Sequence, residues 1–239
     1  INVIGLAIPG SLSPKTGLVR NANSVWLNGM PFEQDLETAL KRPVRVENDA
    51  NCFALSEAVD GAAAHGRVVF GVIIGTGCGG GVIVDRKIIR GANGIGGEWG
   101  HTPLPWPRDD EKPVRDWCGR WGCLEQWLSG TGFTRAFGMS AREADEKAQA
   151  GDPHARYVLD VYADRVARSL AVVIDILDPD VIVFGGGVSN VKSLYPSVRG
   201  KLLAHVFSDV LETELAQNTH GDSSGVRGAA WLFSPEEAQ

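Results

Sequence analysis

Residues 68–84 read VVFGVIIGTGCGGGVIV, and this stretch carries the strongest signal for the fold. Val68 to Ile74 is apolar and rich in β-branched residues, which predicts a buried strand. It runs into Gly75 to Gly81, and Val82 to Val84 continues as a second strand, so we expect a hairpin whose turn is almost all glycine. Backbone N–H groups in such a turn can approach phosphate oxygens closely, although a tight hairpin without a ligand explains the same glycines. No Gly-Lys-Ser/Thr follows, so this is not a Walker A loop.

The rest of the chain alternates predicted strands with predicted helices. Strands are expected at 1–8, 43–47 and 181–184, and helices at 32–41, 50–58, 123–127, 141–150, 157–177, near 191 and at 226–233. This alternation predicts an α/β fold. Gly185 to Gly187 form a second glycine cluster at a strand-to-helix turn, where open α/β sheets bind ligands. Close packing explains these glycines equally well, but the two clusters together favour a nucleotide site.

The composition excludes several classes of protein. The chain has 239 residues, of which 44% are hydrophobic and 22% charged, so it is neither disordered nor collagen-like. Its length allows one large domain or two modest ones. A net charge of −6 gives no electrostatic reason to expect a nucleic-acid or membrane partner, and no apolar run reaches about 18 residues. Four cysteines in a chain of this length favour a reducing compartment over a disulfide scaffold.

Two polar segments suggest a ligand site near the N-terminal half. Residues 10–31 are rich in Ser, Asn, Gly and Pro, and amides beside Trp26 suit a sugar, although an ordinary long loop is the interpretation that the segment alone favours. Asn48 and Asp49 follow a predicted strand and precede a helix. A carboxylate at this sheet edge can accept a proton from a substrate hydroxyl. Helix capping explains the same pair, and the local sequence favours the cap.

A second group of residues has the chemistry of a metal site. Glu98 and His101 are three residues apart and share a face if the turn between them is helical. His101, Cys118 and Cys123 offer imidazole and thiolate ligands, which favour zinc, and Asp116 could complete a tetrahedron. A disulfide between Cys118 and Cys123, or two unconnected buried thiols, is compatible with the same spacing.

Taken together, the motifs of this chain resemble those of the ROK family (repressors, open reading frames and sugar kinases). The motifs that carry the resemblance are Gly5-Leu-Ala-Ile-Pro-Gly10, Glu47-Asn-Asp-Ala-Asn51, Ile74-Gly-Thr-Gly-Cys-Gly-Gly-Gly81, Glu98-Trp-Gly-His101, the knuckle from Cys118 to Glu125, Val183-Phe-Gly-Gly-Gly187 and His220-Gly-Asp-Ser-Ser-Gly225. They follow one another over essentially the whole chain. Within the family, Ser11 to Gly29 is similar to the bacterial fructokinases, also called manno(fructo)kinases, which have the N-acetylglucosamine kinases as close relatives.

The resemblance implies an actin-like ATPase (ribonuclease H-like) fold with two lobes around a cleft. Residues 1–66 would form the smaller, sugar-side lobe and residues 67–222 the larger lobe, with a helix in 223–239 packing back on the smaller one. The family's first phosphate loop, Asp-x-Gly-Gly-Thr-Lys, does not occur in this sequence and would lie before Ile1. We therefore expect that N-terminal strands are missing from this chain and that the 239 residues alone are a poor kinase.

The function implied by the resemblance is ATP-dependent phosphorylation of a hexose at its 6-hydroxyl, with fructose as the expected substrate. N-acetylglucosamine, mannose or glucose kinase activity is the alternative within the same family, and a sugar-responsive transcriptional repressor is a further one. Asp49 would be the general base, and Asn48, Glu98, His101 and Glu125 would hold the sugar. ATP and Mg²⁺ are the implied cofactors, with phosphates over Thr76, Gly77, Cys78, Gly79, Gly80 and Gly81 and adenosine near Gly185, Gly186 and Gly187.

A structural zinc ion is also implied by the resemblance. His101, Asp116, Cys118 and Cys123 are its expected ligands, and it would fix the ring of His101 beside the sugar. The family usually has Cys-x-Cys where this chain has Asp116-Trp-Cys118, so the fourth ligand is Asp116 or water. We also expect a cytoplasmic protein with no nucleic-acid or membrane partner, and the resemblance implies a homodimer, which many family members form.

Overall fold

The computed structural model describes residues 2–234, 236 and 237. The strands are β1 (Ile4–Ile8), β2 (Ser11–Leu12), β3 (Val19–Arg20), β4 (Val44–Asn48), β5 (Val68–Ile74), β6 (Cys78–Val84), β7 (Lys87–Ile88), β8 (Val181–Gly185) and β9 (Glu214–Gln217). The α-helices are α1 (Phe32–Leu40), α2 (Asp49–Asp60), α3 (Glu125–Leu128), α4 (Gly130–Phe137), α5 (Ala141–Gln149), α6 (Pro153–Leu177), α7 (Leu194–Leu202) and α8 (Ser224–Ala230). Short 3₁₀ turns lie at Val25–Leu27, Trp99–His101, Gly187–Asn190 and Gly221–Ser223. The predicted α/β class is confirmed.

Five strands form the main sheet, in the order β7-β6-β5-β8-β9. β5, β8 and β9 are parallel, whereas β6 is antiparallel to its neighbours β5 and β7. Side chains alternate between the two faces of β5, so Phe70 and Val72 share a core with α6 while Val69 packs with residues of α2. Because helices cover both faces, β5 is apolar throughout, as its sequence predicts.

Helix α2 lies between the main sheet, helix α8 and a second, two-stranded sheet. In that second sheet β1 pairs in parallel with β4, which runs directly into α2. Close approach requires glycine at two places. A Cβ atom on Gly71 of β5 would lie 2.5 Å from the Cβ of Ala54, and one on Gly228 of α8 would lie 1.7 Å from the carbonyl oxygen of Cys52. This packing fixes the first turn of α2, which begins at Asp49.

The long helix α6 covers the opposite face of the main sheet. It begins at Pro153, four residues before the predicted start, because Asp152 caps it by accepting hydrogen bonds from the N–H groups of His154 (2.8 Å) and Ala155 (3.3 Å). It ends at Leu177, as predicted, where Asp178 adopts a left-handed conformation.

Several predictions of secondary structure are wrong in type or extent, and some of the observed elements were not predicted. Residues 10–31, predicted as a loop, contain the antiparallel pair β2–β3, and the helix predicted at 226–233 is α8. The helix predicted near 191 is a 3₁₀ turn followed by α7. Helix α4 escaped prediction because it begins Gly-Thr-Gly, and β9 because it contains no β-branched residue and depends on pairing with β8. Residue 1 of the predicted first strand and residues 235, 238 and 239 of the C-terminal segment lie outside the described residues.

The division into lobes at residue 66 stays a prediction. Helix α2 precedes that boundary, yet it packs against β5 and β6, which follow it. Helix α8 packs on β1 and α2, which agrees with the position expected for the C-terminal helix. In the part of the chain that the structure describes, no helix has both the length and the hydropathy that a membrane span requires.

Candidate active site

A cleft of about 1850 Å³ opens beside the first turn of α2 and the turn between β5 and β6. All five side chains predicted to act on the sugar line it: Asn48, Asp49, Glu98, His101 and Glu125. They come from the β4–α2 junction, from the 3₁₀ turn Trp99–His101 with the residue before it, and from the start of α3. The fold therefore brings distant segments to one cavity.

Asn48 is the N-cap of α2. Its Oδ1 accepts hydrogen bonds from the N–H groups of Ala50 (2.9 Å) and Asn51 (3.2 Å), so the capping interpretation of this residue is correct. Its Nδ2 donates to the carbonyl oxygen of Gly10 at 3.1 Å. These bonds tie the start of α2 to Gly10, in the connection between β1 and β2, at one rim of the cleft.

Asp49 is the first residue of α2, and its Oδ1 accepts a hydrogen bond from Ala50 N at 2.9 Å. Desolvation by the walls of the cleft raises the pKa of the Asp49 carboxyl even though the residue itself is exposed, and this backbone hydrogen bond lowers that pKa. A raised pKa brings the carboxylate closer to the working pH, where a general base is most effective. The position and the electrostatics both suit proton acceptance from a bound hydroxyl.

Glu98 and His101 line the cleft from the same 3₁₀ turn. The turn has about three residues per revolution, so the two side chains share a face as expected. Trp99, between them, anchors the turn to β6 because its Nε1 donates to the carbonyl oxygen of Gly79 at 2.9 Å. Burial raises the pKa of the Glu98 carboxyl, an effect that His101 opposes and the nearby Asp49 reinforces.

Glu125 connects two parts of the site. Its Oε2 accepts a hydrogen bond from Cys78 N at 3.0 Å, and its Oε1 accepts one from Trp117 Nε1 at 2.7 Å. The ring of Trp117 also contacts His101 edge to face, with centroids 5.1 Å apart. Trp117 was not among the predicted site residues, and its signal in the sequence is its position between the potential ligands Asp116 and Cys118.

Hydrogen bonds within the turn between β5 and β6, and from the start of α4, hold this turn in place. Within it, Gly75 N donates to the carbonyl oxygen of Gly77 at 3.0 Å. From the start of α4, Gly130 N donates to the carbonyl oxygen of Gly75 at 2.7 Å, and Thr131 Oγ1 donates to that of Thr76 at 2.6 Å. Thr131 also lines the cleft, and the sequence analysis missed it because residues 130–132 gave no helical signal.

This turn is shorter than the sequence predicts. β6 begins at Cys78, so the turn contains only Gly75 to Gly77, and the prediction of a glycine turn as far as Gly81 is wrong. A Cβ atom on Gly81 would lie 2.8 Å from the carbonyl oxygen of Ala50, which explains that glycine by packing against α2. The residues of this segment that line the cleft are Gly75, Thr76, Gly77, Cys78 and Gly79; Gly80 and Gly81 lie outside its lining.

The second glycine cluster also has packing reasons. A Cβ atom on Gly185 would lie 2.5 Å from the ring of Phe53, and one on Gly186, whose φ is +78°, would lie 2.5 Å from the carbonyl oxygen of Ile74. Gly187 alone faces open space. Among the described residues that line the cleft, none of these three glycines occurs. Adenosine binding near Gly185 to Gly187 stays a prediction.

Four potential metal ligands meet at one side of the cleft, and their ligand atoms all lie within 4.8 Å of one another: His101, Asp116, Cys118 and Cys123. His101 Nδ1 is buried without a hydrogen-bond partner, 3.2 Å from Asp116 Oδ2. Burial raises the pKa of the Asp116 carboxyl, but hydrogen bonds from Cys118 and Gln126 outweigh it and hold that pKa below its usual range. A buried anion beside an unpartnered imidazole nitrogen and two thiols fits a divalent cation.

The two sulfur atoms of this group have the spacing of metal ligands. Cys118 and Cys123 are free cysteines with their Sγ atoms 3.6 Å apart, whereas a disulfide needs about 2.05 Å. A tetrahedral zinc ion with Zn–S distances of about 2.3 Å places two sulfurs about 3.8 Å apart. Burial and the hydrogen bond with Cys118 raise the pKa of the Cys123 thiol to about 12.

A buried ion network supports the loop between His101 and the knuckle. Glu111 accepts hydrogen bonds from Arg165 Nε at 2.8 Å and from Arg168 Nη2 at 2.8 and 2.9 Å. Arg168 also donates from Nη1 to the carbonyl oxygens of Pro105 (2.8 Å) and Trp106 (2.9 Å), so α6 holds the loop directly. Burial raises the pKa of the Glu111 carboxyl, but the hydrogen bonds from Arg168, Arg165 and the backbone outweigh it, and the pKa is lowered.

The model of the ROK family matches residues 1–236. The chain belongs to the ROK family. The resemblance drawn from its motifs is confirmed, and the fold of this ROK protein is the actin-like ATPase fold that its structural relatives share.

Curated relatives of the ROK protein extend over nearly its whole length. The N-acetyl-D-glucosamine kinase of Pasteurella multocida (strain Pm70) is 41% identical over 242 residues, which cover 96% of this chain and 80% of the relative. The enzyme of the same name from Shigella boydii serotype 4 (strain Sb227) is 38% identical over 240 residues, with 96% and 79% covered.

Solved structures of the family superimpose closely. The ROK hexokinase from Thermus thermophilus matches with a TM-score of 0.81 and 33% identity, covering 96% of this chain and 77% of that one. A ROK glucokinase from Streptomyces griseus, in complex with glucose and AMPPNP, matches with a TM-score of 0.81 and 27% identity, covering 97% and 81%.

Proposed function

We propose that this ROK protein transfers the γ-phosphoryl group of ATP to the 6-hydroxyl of a hexose, with N-acetylglucosamine as the preferred acceptor. The observation that carries the proposal is the position of Asp49, which lies at the start of α2 and lines one cleft together with Glu98, His101 and Glu125. The relatives at 38–41% identity support the choice of sugar because both are named N-acetyl-D-glucosamine kinases. Fructose, favoured by the similarity of Ser11 to Gly29, is the competing substrate.

In the proposed reaction Asp49 orients the attacking hydroxyl and accepts its proton as the new bond to phosphorus forms. Phosphoryl transfer depends mainly on positioning and on neutralising charge, so a single well-placed base is sufficient. Gly75 N and Cys78 N are engaged within the protein, which leaves the N–H groups of Thr76 and Gly77 as our candidates for phosphate contacts. Mg²⁺ would neutralise the β- and γ-phosphates.

We also propose one zinc ion held by His101, Asp116, Cys118 and Cys123. The unpartnered Nδ1 of His101 and the spacing of the two sulfurs support this ligand set. When bound, zinc supplies a fixed coordination geometry rather than reactivity. His101 then keeps its ring orientation, with the other ring nitrogen available to the sugar.

A coupled ATP assay on N-acetylglucosamine, glucose, mannose and fructose tests the proposed function. We expect the highest kcat/KM among these sugars on N-acetylglucosamine. A higher kcat/KM on fructose would restore the fructokinase prediction. Sugar-dependent DNA binding without turnover would instead support the repressor alternative.

Two further expectations belong to the same proposal. The chain forms a homodimer, which sedimentation equilibrium measures directly. It acts in the cytoplasm, a prediction that fractionation of cells expressing the full protein tests.

A further inference from the structure

A second cavity, of about 610 Å³, adjoins the cleft. Three residues line both cavities: Asn21, Asn23 and Trp117. Trp117 therefore forms a wall between two spaces. One is the part of the cleft beside Glu125 and His101, and the other is the second cavity. The volume is large beside the roughly 30 Å³ that one water molecule occupies in the liquid.

Trp117 is held in place although its side chain is 60% exposed. Its Nε1 donates to Glu125, and its ring contacts His101 edge to face at an interplanar angle of 83°. The backbone on either side is fixed, because Asp116 N donates to the carbonyl oxygen of Arg120 at 2.8 Å and Cys118 N donates to Asp116 Oδ2 at 3.1 Å. A large aromatic ring that is both fixed and exposed at a cavity is suited to contact a ligand.

The second cavity has amide groups and apolar surface close together. Val25, whose side chain is 70% exposed, and Trp117 provide the apolar part. Asn21 and Asn23 provide amides, whereas the amide of Asn28 is engaged with Ala22 through both its oxygen (2.9 Å) and its nitrogen (3.1 Å). A short acylamino group, with one amide and a small alkyl tail, matches this combination better than a hydroxyl does.

We propose that Trp117 is the residue that determines substrate range: it orients Glu125 through its N–H group, and its ring forms the wall of a pocket for the N-acyl group of a 2-acylamino hexose. The proposal rests on the proposed sugar kinase function. It extends that function because the cavity has room for acyl groups longer than acetyl. A pocket closed around acetyl discriminates against one extra methylene by about 10- to 200-fold, whereas we expect less than about fivefold between N-acetyl, N-propanoyl and N-butanoyl glucosamine.

Two variants separate the two roles of Trp117. Trp117→Phe keeps an aromatic wall but removes the N–H donor to the Glu125 carboxylate. We expect kcat/KM to fall about tenfold for glucose and for N-acetylglucosamine alike, since both sugars depend on Glu125. Trp117→Ala also removes the wall. We expect this variant, unlike Trp117→Phe, to lower the ratio of kcat/KM for N-acetylglucosamine to that for glucose by about tenfold, through a higher KM for the acylated sugar.

Trp121→Ala is the matched control. Trp121 lies four residues after Trp117, inside the knuckle, and is 64% exposed, but it lines neither cavity. We expect this variant to retain wild-type kcat/KM for both sugars. Zinc content, measured on every variant, distinguishes loss of the wall from damage to the metal ligands, because damage lowers activity on both sugars together with the metal.

The decisive measurement combines turnover with calorimetric titration of glucose and of the three N-acyl glucosamines into wild type and the three variants. A Trp117→Ala variant that keeps its zinc and a selectivity ratio within twofold of wild type would overturn the proposal, as would wild type that does not bind N-acetylglucosamine. Rejection of the N-propanoyl sugar by tenfold or more would refute the open pocket. Wild type that binds these sugars but transfers no phosphate to any of them would refute the proposed function and leave the pocket standing.

Discussion

Replacing Glu111 by Gln should destabilise the fold strongly, although Glu111 lies outside the residues proposed to act on substrate. Its side chain is 2% exposed, and it is the acceptor for Arg165 and Arg168, which are 9% and 3% exposed. In the variant Arg168 keeps Asp164 as a partner, but Arg165 loses its carboxylate while its Nη1 already lacks a hydrogen-bond partner. Removing one partner of a buried ion pair costs about 3–5 kcal/mol, which for a chain of this length corresponds to a fall in Tm of about 6–20 °C.

Thermal unfolding followed by circular dichroism measures this effect. The matched control is Glu143→Gln, which removes a solvent-exposed pair with Lys147 one helical turn away. We expect the Tm of the control to stay within about 2 °C of wild type. A Glu111→Gln variant that unfolds within 2 °C of wild type, or no earlier than the control, would refute the reasoning about the buried network.

The network also makes stability depend on pH in a defined direction. The pKa of Glu111 is lower in the folded protein than in the unfolded chain, where it is about 4.3. Its contribution to the free energy of unfolding is therefore fully present above pH about 4.3 and is lost as the pH falls through the lower, folded pKa. We expect the difference in Tm between wild type and Glu111→Gln to be constant near neutral pH and to shrink in this acidic range.

Four further predictions concern the site itself. Asp49→Asn should lower kcat by about 10²–10⁴ with a much smaller change in the sugar Kd. Asp35, which is exposed, provides the control, since Asp35→Asn should leave both quantities unchanged. Near-normal turnover of Asp49→Asn would leave Asp49 with a structural role only. Because desolvation raises the pKa of Asp49, kcat/KM should fall as the pH drops through that raised pKa, in the acidic limb of a pH–rate profile. Metal analysis should find one zinc per chain, and Asp116→Cys should slow its removal by a chelator, since a thiolate replaces a carboxylate; equal removal rates would exclude Asp116 as a ligand. Thr131→Val removes the hydroxyl that donates to Thr76 and should raise the KM for ATP about five- to tenfold, with the sugar KM unchanged.

The sequence predicted the parts of the fold that depend on local pattern. β5 is a continuous apolar run rich in β-branched residues, and α6 has an apolar face at helical spacing, so the local sequence identifies both. The polar residues of the cleft were predicted because each lies within a motif of the ROK family. Helix α2 was predicted. Of the two residues at its start, Asn48 is the cap, whereas Asp49 is the first helical residue and its catalytic role stays a prediction; both line the cleft.

The sequence failed where distant contacts decide. Gly81 has the appearance of a turn residue, but its lack of a side chain serves close packing of α2, a contact that no local pattern encodes. Glu111 meets Arg165 and Arg168 across more than fifty residues of chain, so the network has no sequence signature. Trp117 has no signal in the sequence beyond its position between Asp116 and Cys118, and its hydrogen bond to Glu125 and its ring contact with His101 assign it to the site.

The two hydrogen bonds of Glu125 have a thermodynamic consequence. One carboxylate oxygen holds the N–H group of Cys78, at the end of the turn proposed for ATP phosphates, while the other faces the knuckle beside the proposed sugar. A sugar that moves this carboxylate would break its hydrogen bond to Cys78 N, and the affinities for the two proposed substrates would then be linked. Linkage is reciprocal: whatever factor the sugar contributes to ATP affinity, ATP must contribute to sugar affinity. Titrating each ligand in the presence and absence of the other measures that factor, and a factor of one would mean that Glu125 stays fixed when the sugar binds.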